Sequence, residues 1–300
     1  MMSKAIEKYL NQLRQELLGC DAATVQDALS DAEIHLSSAL ENARAVQPET
    51  AEALLLQAII DKYGSPDEVA SAYREIEARV TPTLARPTYS DPKPFSARFL
   101  EVTYDPRAWG SMLYLLLSMA TGMIYFTWAI TGFYLSVGLA VLIIGIPFFG
   151  FFLLSVRGIA LVEGRIVEAL LGVRMPRRPI FDNRNLGLWE RFKVLIRERT
   201  TWTSLVYMLL MMPLGIIYFT ILIVGAALAL SGIARPILQY VFDRPFAEIQ
   251  GLNFYISDGF MPLVVIAGFV ILILMMHLAK LLGRLHGSMA KSMLVRKHSI

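Results

Sequence analysis

A single cysteine, Cys20, rules out an intrachain disulfide and a cysteine-based metal cluster. Charge is missing over long stretches. From Ala108 to Val156 there are 49 residues without Asp, Glu, Lys or Arg, against the ~20 apolar residues one helix needs to cross a bilayer. Thr200–Ala234 and Gly259–Ala279 are two further uncharged runs. No Asp, Glu, Lys or Arg is expected in the middle of a span, which argues against proton- or ion-coupled transport. His277 is the one ionisable side chain inside these runs, and its place near Lys280 fits an interface residue better than a pH sensor. The N-terminus lacks an apolar core of the signal-peptide kind, because Lys4, Glu7, Lys8 and Arg14 interrupt it. A phosphate loop, metal-ligand spacing and a nucleophile–base pair are all missing, so neither an enzyme nor a cofactor is expected.

What is present is a membrane protein with an internal repeat. Trp109, Ser111, Tyr114, Gly122, Tyr125, Phe126, Thr127 and Gly132 recur as Trp202, Ser204, Tyr207, Gly215, Tyr218, Phe219, Thr220 and Gly225, each pair 93 positions apart. Most of these are not the Leu, Ile and Val that recur in any span, so the match marks a duplicated unit. Apolar residues make up 55% of the chain. The charges divide unevenly: residues 1–80 carry 14 acids and 7 bases, a net of −7, and residues 81–300 carry 11 acids and 21 bases, a net of +10. The basic half is the apolar half, so its charges belong to membrane flanks, and the acidic half disfavours direct nucleic-acid binding.

Residues 1–80 read as a cytoplasmic bundle of four short helices. Ile6, Leu10, Leu13 and Leu17 form one stripe, ended by Gly19; Asp21 suits an N-cap, and Val25, Leu29, Ala32, Leu36 and Leu40 form a second. Leu54, Leu55, Ala58 and Ile59 form a third, stopped by Gly64. Ser65, Pro66 and Glu68 then make a capping box, and Val69, Tyr73 and Ile76 continue that helix inward. Residues 81–107 follow as a linker, where Pro82, Pro87, Pro92, Pro94 and Pro106 favour an extended chain.

Residues 108–300 predict four spans in two parallel repeats, about 108–172 and 201–295. The first hairpin spans 111–131 and 136–156, with its turn from Gly132 to Gly138; later spans lie near 203–226 and 259–279. Ten Lys or Arg between Arg157 and Arg199, and five from Lys280 to Lys297, place both termini in the cytoplasm by the positive-inside rule. Gly164-Arg165-Ile166 pairs with Gly283-Arg284-Leu285 at an offset of 119, which puts 26 extra residues in the outer loop, roughly 231–258. Interfacial amphipathic helices are expected at about 158–171 and from Leu186, the latter with Trp189, Phe192, Leu195 and Ile196 on one side. The fold class is thus all-α: a helical bundle plus a polytopic α-helical membrane domain.

Two stretches resemble known families. Tyr9-Leu10 with Leu13, Glu33-Ile34-His35 and Tyr63-Gly64-Ser65-Pro66 resemble the HAAS-type alpha-helical signalling module of bacterial membrane proteins. That resemblance implies an adaptor that binds a PadR-type transcription factor or a histidine kinase, with Tyr63, Gly64, Ser65 and Pro66 in the partner-binding module. Tyr114 to Thr127, Ile144-Gly145-Ile146-Pro147 and Glu168 to Val173 resemble the sensor domain of bacterial two-component proteins. The resemblance implies residence in the bacterial inner membrane and output through the N-terminal module or a separate partner, since the sequence carries no kinase core.

Among candidate residues, His35 reads as a helix-surface or packing histidine before a phosphoacceptor. Ser118 and Gly122 read as a close helix contact. Pro147, Pro213 and Pro262 are expected to interrupt spans. Tyr114, Tyr125, Tyr207 and Tyr218 are candidates for a central pocket between repeats, though core packing suits aromatics at this spacing better. Asp243 and Arg244 are candidates for ligand recognition in the outer loop. The expected function is a non-enzymatic sensor that contacts membrane lipid, with homo-oligomerisation open. An export or permeation component, or an assembly scaffold, stands as the alternative.

Overall fold

The computed structural model describes residues 4–79, 82–85, 94–139, 145–177, 188–249 and 252–295. The described residues are helical except for short connections and one two-stranded hairpin. They group into two compact units: residues 1–85, 128–207 and 288–300 in one, 86–127 and 208–287 in the other.

The first unit begins with α1 (Lys4–Glu16), α2 (Ala22–Val46), α3 (Glu52–Tyr63) and α4 (Pro66–Arg79). Ile6, Leu10, Leu13 and Leu17 are buried against Leu29, Ala32, Leu36, Leu40, Leu55 and Leu56. Each fully buried aliphatic side chain contributes about 1.5–3 kcal/mol, and this small core holds the module together. Gly19, at φ 92°, takes the left-handed backbone that ends α1. The Asp21 carboxylate accepts the Ala23 amide at 2.9 Å and caps α2. At α4 the Ser65 amide donates to the Glu68 carboxylate at 2.9 Å, which holds that carboxyl below its usual range. The Tyr9 hydroxyl donates to the Gly64 carbonyl at 2.8 Å and ties α1 to the end of α3; burial raises its pKa. Two stripe assignments are corrected. Leu54 is exposed and Leu55 with Leu56 point inward, because three successive leucines give no helical phase until α2 selects a face. Ile76 is exposed as well, and Ala70 is the residue of α4 that is fully buried.

Among the described residues, four helices are long and apolar enough to cross a membrane. They are α6 (Pro106–Leu139), α7 (Gly145–Leu171), α9 (Arg199–Ile233) and α11 (Met261–Leu294). Their outward residues include Leu113, Ile124, Ile217, Leu263 and Ile266, all exposed as hydrocarbon-facing side chains should be. Between them lie α8 (Leu188–Arg197), α10 (Arg235–Tyr240) and the hairpin of β1 (Ala247–Ile249) with β2 (Leu252–Phe254), paired antiparallel with Glu248 opposite Asn253.

Several boundaries differ from the sequence expectation. Gly132 to Gly138 is helical, not a turn; α6 runs to Leu139, α7 starts at Gly145, and 140–144 lie outside the described residues. Gly132 is small because the Phe152 ring packs on it. Residues 158–171 are the continuation of α7 and not a separate amphipathic helix. The charge at Arg157 does not end the helix because its guanidinium is buried and donates to the Thr201 hydroxyl, at 2.8 Å from Nε. Pro147 and Pro262 sit in first turns, where the missing N–H is unpaired anyway; Pro213 is the one that lies inside a helix. Within the linker, α5 (Phe95–Glu101) starts at an N-cap proline, Pro94. Phe99 and Val102 then pack with Ala108, Ile273 and Met276.

Candidate functional site

In the second unit α6 and α9 cross at glycines. A Cβ on Gly122 would stand 2.6 Å from the Met211 carbonyl oxygen, and one on Gly215 would stand 2.5 Å from that of Ser118. Ser118 and Met211 are themselves 93 positions apart, so the two close approaches mirror one another. Backbone contact of this kind needs small residues. It carries the neighbouring aromatic positions into the interior.

All four candidate tyrosines are buried: Tyr114 and Tyr207 at 1% exposure, Tyr125 at 6% and Tyr218 at 7%. Three of them, Tyr114, Tyr207 and Tyr218, meet two polar residues that the sequence reading passed over. In the first unit the Tyr207 hydroxyl donates to Glu163 Oε1 at 2.9 Å, and Glu163 is 1% exposed. In the second unit the Tyr218 hydroxyl lies 3.3 Å from His286 Nδ1, with His286 also 1% exposed. The Tyr114 ring tilts against the same imidazole at 5.0 Å. Each centre is a buried ionisable group dressed by duplicated tyrosines. Burial of this sort is costly unless hydrogen-bonded, and each phenol supplies a polar contact of that kind.

Glu163 and His286 are 123 positions apart, and each precedes a glycine. The burial pattern follows that spacing. Phe152, Leu153, Val156, Glu163, Gly164 and Val167 are buried, and so are Met275, Met276, Ala279, His286, Gly287 and Ala290. Gly283, the counterpart expected for Gly164, is buried as well, one helical turn before Gly287. At the same spacing Arg157 matches Lys280. Arg157 reaches Thr201 at the start of α9, and Lys280 pairs with Asp105 at the start of α6. Burial pushes the Asp105 carboxyl up, but the Lys280 ammonium and the Arg107 amide outweigh it and hold the group below its usual range. His277 Nε2 lies 3.2 Å from the Phe99 carbonyl and stacks on the Phe99 ring, which fixes α5.

Asp243 and Arg244 lie in the connection after α10. Asp243 is at φ 48°, an αL conformation that aspartate tolerates. Its carboxylate accepts the Tyr255 hydroxyl; burial first, then this bond, raises the phenol's pKa. The Arg244 carbonyl accepts from buried Arg235, whose guanidinium lies 5.8 Å from the Phe246 ring centroid. Both candidates thus take part in the bonds that shape this loop. In the module, Tyr63 stacks on His35 at 4.5 Å and 22°, while Gly64 and Ser65 carry the Tyr9 and Glu68 bonds described above.

The module also touches the membrane helices within the first unit. Lys291, near the end of α11, pairs with Asp21. The Arg177 amide, six residues past α7, donates to Asp27 Oδ1 at 2.7 Å. Gly172, at φ 67°, lies so close to the Leu84 carbonyl that a Cβ would collide with it.

Residues 114–294 match the family described as "Putative sensor". The chain belongs to that family. Residues 8–72 match a second family, HAAS, over α1 to α4. No curated protein and no solved structure matches the chain. Sensor and HAAS are non-catalytic regulatory families, so this member of the sensor family is a membrane protein with a sensing or signalling role.

Proposed function

We propose that the four-span domain registers a membrane or extracellular stimulus and relays it to a cytoplasmic regulator through the HAAS-type module. The observation that carries this reading is the contact of the module with α11 and the segment after α7, through Asp21–Lys291 and Asp27–Arg177. Asp21 also caps α2, so displacement of the end of α11 acts on the first turn of the module. The distribution of basic residues, ten from Arg157 to Arg199 and five from Lys280 to Lys297, supports cytoplasmic termini and an inner-membrane location. The regulator is a protein such as a PadR-type transcription factor or a histidine kinase.

The test is co-purification from native membranes, comparing the full chain with a version lacking residues 1–80 and a Lys291→Glu variant. A regulator lost with the deletion, and signal output altered by Lys291→Glu, support the relay. Identical partner sets for the full and shortened chains overturn it. A permeation component is the second reading, favoured by Arg157 and Glu163, which are buried within α7. Flux through liposomes that survives deletion of residues 1–80 distinguishes it.

A further inference from the structure

The HAAS-type module has one face of α2 in its core and the opposite face open. Asp31, His35, Ser38 and Asn42 lie along that open face with Tyr63 of α3 and Tyr73 of α4 beside them, around a cavity of about 470 Å³. Three features make this a recognition groove and not a packing defect. Its walls are aromatic and flat: His35 and Tyr63 stack at 4.5 Å and 22°. One end holds a carboxylate, Asp31, oriented by a hydrogen bond from the Tyr73 hydroxyl at 2.5 Å. Ser38 donates its hydroxyl proton to the Ile34 carbonyl, which leaves its oxygen as an acceptor in the lining.

A flat aromatic wall with a fixed carboxylate and an acceptor oxygen suits a planar cation. A guanidinium stacks on aromatic faces while an N–H at its edge donates to a carboxylate oxygen, whereas an ammonium offers a point charge and no plane. Residues 1–80 carry a net charge of −7, which steers a basic surface toward the module and opposes nucleic acid. We infer that this groove receives an arginine side chain from the surface of the cytoplasmic regulator, seated against the His35–Tyr63 stack and anchored on Asp31. The inference rests on the relay reading above and names the contact by which the module holds its partner.

The test uses the full chain in lipid nanodiscs with ring-labelled histidine. The probe is the blocked tripeptide acetyl-Ala-Arg-Ala-amide, with its citrulline counterpart as the uncharged isostere. A saturable shift of the His35 resonance by the arginyl peptide alone is expected. Asp31→Asn, which keeps an acceptor for Tyr73, is expected to weaken it by about tenfold or more. Ala39→Trp, which fills the groove from a half-buried lining position of α2, is expected to abolish it with the helical circular dichroism unchanged. No shift at His35, or an equal shift by the citrulline peptide, overturns the inference. If a regulator is lost on deleting residues 1–80 yet is retained by Asp31→Asn and Ala39→Trp, the groove is wrong and the relay stands. If the deletion changes no partner, the relay fails and a regulator as the occupant fails with it, whatever the peptide does.

Discussion

Two buried centres of the membrane domain set counterpart tyrosines, Tyr207 and Tyr114, against different polar groups. Where the first has Glu163 under Tyr207, the second has His286 beside Tyr218 and Tyr114. The glycines that bring α6 and α9 together are shared, as are the tryptophans at their starts. Trp109 Nε1 donates to the Thr103 carbonyl at 2.9 Å, and Trp202 Nε1 to that of Ile196 at 2.7 Å, six residues upstream in both cases. Shared residues therefore set the packing, and the differing residues set its chemistry. A carboxylate accepts from a phenol in either ionisation state of interest, whereas a neutral imidazole can donate or accept according to its tautomer.

The most damaging way to break this comparison is to enlarge the shared glycines. Gly122→Leu and Gly215→Leu each force backbone apart, and each is expected to cost about 3 kcal/mol or more, at the upper end of overpacking. Loss of monodisperse protein in detergent and a lowered unfolding temperature measure it. If one variant were tolerated and the other not, the two sides of the crossing would not be equivalent.

A smaller effect sharpens the difference between the two centres. Tyr207→Phe removes a donor from a buried carboxyl and is expected to cost about 1.5–3 kcal/mol. Tyr218→Phe removes a longer contact to an imidazole and is expected to cost about 0.5–1.5 kcal/mol. Thermal unfolding in one detergent compares them, and the reverse order would mean that Glu163 is satisfied without Tyr207.

Acid tests the paired cations. Asp105 has a lowered carboxyl pKa in the folded protein, so its contribution is present above the unfolded value, ~3.9, and is lost as pH falls through the folded value. Lys280→Gln should reduce stability by about 1 kcal/mol near neutral pH and flatten the loss below pH ~4. An unchanged acid profile would remove Lys280 as the cause. The smallest effects are expected from Trp109→Phe and Trp202→Phe, about 0.5–1.5 kcal/mol each and equal within error, since both indoles are partly exposed.

Much of the architecture is legible in the sequence because bilayers impose long uncharged runs. The helical class, the four apolar helices and the capping box at Ser65 follow from hydropathy and local chemistry. Helix ends were harder to read. Arg157 looks like the edge of a span, yet its buried contact with Thr201 lets α7 run on to Leu171. The tyrosine positions stood out by duplication, but their partners did not. Glu163 lies among charges that read as a membrane flank, and His286 lies beyond the last uncharged run. Only the rotation of one helix against another reveals that both point inward. Asp31 and Tyr73 were equally silent, being 42 positions apart on separate helices.

The length of α11 carries a mechanical consequence. Its 34 residues make a rod of about 50 Å with no internal proline, against a hydrocarbon layer of about 30 Å. A lever of that length moves its far end by about 4 Å for a tilt of about 5°. A charged hydrogen bond such as Lys291 to Asp21 tolerates only a few tenths of an ångström. Modest thinning or thickening of the bilayer, which membrane helices meet by tilting, is thus enough to make or break that bond.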